Sequence, residues 1–182
     1  NRISLDSQLC NYIAQHKEDV KKKYKVAFTF ICLNPLYWEY AKAMVDGARS
    51  LFLPGHQTDF LFWTDIPENP DEVSLKVKEA FTTRGVNIKD PSNENNLQNL
   101  INGIINLRSQ KDIQIFPTNA IEWPFPTLLR YNLFLQQEEK LKEYDYVFYC
   151  DIDMQFVNVV GDEILGDGLT SALHPMYALR KE

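Results

Sequence analysis

The chain has 182 residues, 45% hydrophobic content and a net charge of −6, enough apolar material for one domain with a real core. The acidic balance excludes a general nucleic-acid-binding surface, and the one basic run, KKKYK at 21–25, is short enough to be a solvated helix end. No window is long and apolar enough to cross a bilayer as a helix, and nothing resembles a secretory signal.

Residues 1–24 read as a polar, helical lead-in to a domain covering 25–182. KVAFTFICL (25–33) is an apolar, β-branched run of strand length, stopped by Asn34-Pro35. From Tyr37 the period changes: Trp38, Ala41, Met44, Val45, Ala48, Leu51 and Phe52 follow helical spacing as far as Pro54-Gly55. TDFLFWTD (58–65) is the second strand. Two further helices are predicted, over 69–85 and in the Asn-rich stretch 91–109, and the whole of 67–112 reads as an excursion from the core. DIQIFPT (112–118) is a third strand, and a long helix starts near Pro126. DYVFYC (145–150) is the fourth strand, VGDEIL (160–165) a short helix, and LTSALHP (169–175) a last strand. Strands and helices in alternation predict an α/β fold with a mainly parallel, Rossmann-like sheet flanked by helices.

The fourth strand ends in Asp151-Ile152-Asp153. On an extended segment the two carboxylates would share one side, and they follow a strand's carboxyl end, where open α/β sheets place ligands. Hard oxygen ligands there suit Mg²⁺ or Mn²⁺ clamping a diphosphate; a solvated turn is the plainer alternative for a single D-x-D. Arg130 falls inside the apolar stripe of its predicted helix, beside Leu133 and Phe134, so either it meets a carboxylate, or its stem packs while its head reaches solvent, or it is aimed at phosphate or the acidic site. Cys10, Cys32 and Cys150 have no metal or redox spacing, and the latter two read as buried free thiols that favour a reducing compartment. There is no glycine-rich phosphate loop, and the three histidines are scattered. Met154-Gln155 after the second Asp speaks against a phosphatase of the haloacid-dehalogenase type.

Several stretches taken together are familiar. YCDIDMQFVNVVGDEILGDGLTSALHPMY (149–177) resembles the metal-site segment of glycosyltransferase family 6, the family of the histo-blood-group A and B transferases and α-1,3-galactosyltransferases, with bacterial and viral relatives. WPFPTLLRYNLFL (123–135) is similar to the family's W-P-x-P-T-L-x-R helix, FLFWTDIP (60–67) to its strand ending in T-D-x-P, and FLPGH (52–56) to its F-x-x-G-H. The resemblance covers 25–66 and 113–177 and is that of a bacterial or viral member, N-terminal portion only.

It implies a GT-A fold and retaining α-1,3 transfer of galactose or N-acetylgalactosamine from UDP-galactose or UDP-N-acetylgalactosamine to a glycan acceptor, with Mn²⁺ or in its place Mg²⁺. Residue by residue, Asp151 and Asp153 match the D-x-D that holds metal and diphosphate, and Arg130 matches a donor-contacting arginine. Ile31, Cys32 and Leu33 match the uridine-holding strand end, Tyr37 is the candidate for stacking on the base, and His174 matches a histidine that touches the acceptor. The family's catalytic glutamate is expected beyond residue 182. The chain, which opens on Asn rather than Met, is therefore expected to be the donor half of a longer protein with little transfer of its own. Apolar surface left uncovered would allow self-association. The resemblance places a bacterial or viral member in the cytoplasm and a eukaryotic one in the Golgi lumen. A nucleotide-sugar-binding module without transfer activity is the alternative.

Overall fold

The computed structural model describes residues 24–122 and 124–171. Four strands, β1 (Lys25–Ile31), β2 (Gln57–Thr64), β3 (Ile113–Pro117) and β4 (Tyr146–Tyr149), form a sheet of order β3-β2-β1-β4. Every pairing is parallel, with Phe28 opposite Phe60 in β2 and Phe148 in β4, and Phe62 opposite Ile115 in β3. The chain steps outward from β1 to β3, then returns to the far side of β1 to lay down β4. The strand order thus reverses between β1 and β4.

Helix α1 (Trp38–Leu51) follows a 3₁₀ turn at Pro35–Tyr37; its stripe Trp38, Ala41, Met44, Val45, Ala48 and Leu51 is buried, as its spacing predicts. Helices α2 (Pro70–Thr83) and α3 (Pro91–Arg108) start alike. Asn69 and Asp90 accept the Asp71 and Ser92 backbone N–H groups, and a proline fills the first turn, where an N–H would be orphaned. The 67–112 stretch, set apart from the core by its sequence, proves to be the crossover between β2 and β3. Val73, Val77, Phe81, Leu100, Ile104 and Leu107 join the cluster built on Phe28, Phe30, Phe60 and Phe62. The three long helices therefore cover one face of the sheet, as same-handed crossovers require.

The opposite face is thinner. The helix expected from Pro126 is three short pieces, α4 (Phe125–Leu128), α5 (Arg130–Leu135) and α6 (Glu138–Leu141). Only Leu133 and Phe134 of these pieces are buried, packing with Ala27, Leu61, Trp63 and Tyr144. A continuous helix has little to gain there, because one turn of apolar contact does not offset ordering the rest. Arg130 Nε also takes the Thr127 carbonyl at 2.8 Å, a group that helix continuation would otherwise use. Phe125, Leu128, Tyr131, Leu135 and Val147 stay exposed on this side. Residues 162–164 form the short helical turn expected of VGDEIL. The lead-in up to residue 23 and the last strand beyond residue 171 lie outside the described residues.

Candidate functional site

The carboxyl ends of β1 and β4 lie side by side at the reversal of strand order, the crevice where open α/β sheets bind ligands. Past β1, Cys32 still pairs with β2 through a 2.9 Å bond from its N–H to the Trp63 carbonyl, and its side chain is fully buried. Burial, with a smaller push from Asp65, raises its thiol well above the ordinary value. Ile31 packs with the cluster on the thin face, and Leu33 is half-buried. Of the expected donor-binding segment, then, Cys32 can offer a ligand only its backbone, whereas Tyr37 is exposed.

Asn34 bends the chain away from β1 at φ 76°, a left-handed value that is costly for a side chain. Two bonds hold it there. Its side chain accepts the Leu36 N–H at 3.0 Å, and its own N–H donates to Asp65 Oδ1 at 3.0 Å. Asp65 is in turn clamped by Lys76 of α2 at 2.7 Å, and Arg108 of α3 donates to the Pro67 carbonyl. Both crossover helices thus brace the carboxyl edge of the sheet.

On the β4 side, Asp151 to Met154 form a turn closed by the Met154 N–H on the Asp151 carbonyl at 3.3 Å. The segment is therefore not extended, and the alternation argument for the two carboxylates does not apply. They are exposed for another reason: Ile152 between them is 5% accessible and plugs the core, leaving Asp151 and Asp153 outside. Phe156 then packs on Phe28 and Phe52, and Val160 bridges to Phe52, so the chain is pinned on both sides of the turn.

Among the described residues Arg130 meets no carboxylate. Its guanidinium lies 4.6 Å from the centre of the Tyr149 ring, a cation–π contact beside its bond to Thr127. Tyr149 donates its hydroxyl to Asp151 Oδ1 at 2.5 Å. Burial first, then that bond and the carboxylate's charge, holds the phenol well above its ordinary value, so it is a neutral donor. Burial and the charges of Asp151 and Asp153 push the Cys150 thiol up to about 11. It stays protonated at neutral pH.

Among the described residues no group of three or more His, Cys, Asp or Glu could hold a metal ion. Two exposed carboxylates on one pinned turn are a sparse, all-oxygen donor set. That set fits Mn²⁺ or Mg²⁺, which complete their coordination with water and phosphate oxygens, and does not fit a self-sufficient structural metal. His174, the expected acceptor contact, lies outside the described residues.

The chain is similar to a glycosyltransferase. Over 141 residues, 78% of its length, it is 28% identical to globoside alpha-1,3-N-acetylgalactosaminyltransferase 1 of Gallus gallus. The match spans 32% of that relative, about a third of its length. No protein-family model matches the chain.

Tyr149 and the Asn34–Asp65 bond were not singled out from the sequence. Tyr149 carried a signal, since it stands two residues before Asp151 at the end of a strand. Asp65 stood out only within the T-D-x-P stretch; its bond to Asn34 carried no signal, because the two are 31 positions apart.

Proposed function

We propose that the chain is the donor- and metal-binding half of a retaining glycosyltransferase of family-6 type. In this reading it moves galactose or N-acetylgalactosamine in α-1,3 linkage from a UDP-sugar to a glycan. The observation that carries the reading is the position of Asp151 and Asp153, on a pinned turn beside the end of β1, where the strand order reverses. The chicken transferase supports the reaction class from a different direction.

Each residue has a task in that reading. Asp151 and Asp153 would hold Mn²⁺, which when bound supplies charge to offset the diphosphate. Arg130, stacked on Tyr149 and bonded to Thr127, keeps donors free for phosphate oxygens. The turn that Asn34 starts brings Tyr37 to the same crevice, with an exposed ring for the base. Burial of Ile152 fixes the turn before any ligand arrives, so little ordering cost is left to binding.

A thermal-shift panel tests the class of ligand. In Mn²⁺, UDP, UDP-galactose and UDP-N-acetylgalactosamine should each raise the melting temperature, because a ligand that binds only the folded chain stabilises it. An equal rise with ADP, or none with any uridine nucleotide, would contradict a UDP-sugar site.

A further inference from the structure

A cavity of about 420 Å³ opens beside Asp153, and its far wall comes from the crossover that the sequence resemblance left unmatched. Tyr37, Glu39 and Tyr40 line it from the start of α1; Phe81 and Arg84 line it from the end of α2. We propose that this cavity receives the nucleoside end of the donor and that Arg84 is a nucleoside-binding residue, an inference that rests on the UDP-sugar reading above.

Three observations place Arg84 there for a ligand. First, its backbone position is fixed. Gly85 at φ 74° ends α2 with two bonds, its N–H to the Thr82 carbonyl at 2.9 Å and the Val86 N–H to the Phe81 carbonyl at 3.1 Å. This Schellman geometry fixes the residue just before the glycine. Second, the Arg84 side chain makes no hydrogen bond or ion pair among the described residues. Third, its neighbours around the cavity complement a nucleoside. Tyr37 and Tyr40 are both exposed, their ring centres 6.4 Å apart, and offer stacking surface for a base.

Asp153 lines the same cavity as Tyr37, Tyr40 and Arg84, so a diphosphate held at Asp153 would leave those three for the nucleoside. A guanidinium N–H can donate to one carbonyl of uracil; adenine has no carbonyl oxygen. Glu39 is an acceptor suited to ribose hydroxyls. Arg84 would thereby bias the site towards uridine nucleotides.

The test is calorimetric titration in Mn²⁺ of wild type and Arg84→Ala with UDP, ADP and inorganic pyrophosphate. Melting curves of the two proteins check that both are folded. The expected result is about tenfold weaker UDP binding in the variant, with pyrophosphate and ADP affinities unchanged. Unchanged UDP affinity in Arg84→Ala, with wild type binding UDP, overturns the inference and leaves the UDP-sugar reading standing. Equal losses for UDP and pyrophosphate also overturn it, making Arg84 a phosphate contact. A wild type that binds no UDP removes the reading and the inference together.

Discussion

Asp65, one residue past β2, accepts the backbone N–H of Asn34 at 3.0 Å and so ties the turn after β1 to its neighbouring strand. The Asp65 side chain is 8% exposed and shares its charge with Lys76. Removing it would leave the Asn34 N–H without its acceptor and Lys76 with the Asp65 backbone carbonyl but no carboxylate. Asp65→Ala is expected to cost about 2–3 kcal/mol, measured by urea unfolding. Asp65→Asn keeps an acceptor for Asn34 and should cost less. Equal costs for both variants would locate the effect in the ion pair, not in the Asn34 turn.

Tyr149 joins Arg130 to Asp151 through its ring face and its hydroxyl. Tyr149→Phe keeps the ring and deletes only the bond to the carboxylate. If that bond orients Asp151 for metal, the variant should bind Mn²⁺ with UDP about tenfold more weakly, within the usual range for partners that orient a ligand. Its melting temperature should stay close to wild type, because Phe preserves the contact with Phe134 at 5.6 Å between ring centres. Unaltered Mn²⁺ dependence would show that the hydroxyl merely shields Asp151.

Ile104 in α3 is 1% accessible and packs into the main core. Ile104→Ala should therefore destabilise the chain by about 2–4 kcal/mol in denaturant unfolding, the cost of a core cavity. A loss well under 1 kcal/mol would mean that the crossover is a peripheral addition after all.

The strands were legible because each is a short apolar run cut by Asn, Pro or Asp. KVAFTFICL and TDFLFWTD became β1 and β2 with edges shifted by one or two residues. The caps of α2 and α3 were legible for the same local reason, Asn69-Pro70 and Asp90-Pro91. Which layer those helices join was not, because local pattern does not encode the face of the sheet on which a crossover packs. The helical spacing of Leu97, Leu100, Ile101, Ile104 and Leu107 in α3 was legible in its Asn-rich setting, and all five are buried. The helix after β3 was read too long, since periodicity counts apolar residues whether or not the fold supplies something for them to touch. At the site, Asp151, Asp153 and Arg130 could be found from charge placed against an apolar run. Arg84 could not, because only the folded crossover brings it to Asp153.

Asp151 and Asp153 are proposed to form a metal-dependent nucleotide site. Its first test is calorimetric titration of UDP with and without Mn²⁺, on wild type and Asp153→Ala. Asp153 is exposed and makes no side-chain hydrogen bond or ion pair among the described residues, so the variant should fold as wild type does. Binding should require Mn²⁺ and fall by at least about tenfold in the variant. Binding of equal strength without metal, or full affinity in Asp153→Ala, would reduce the two aspartates to a turn that happens to stand at the end of a strand.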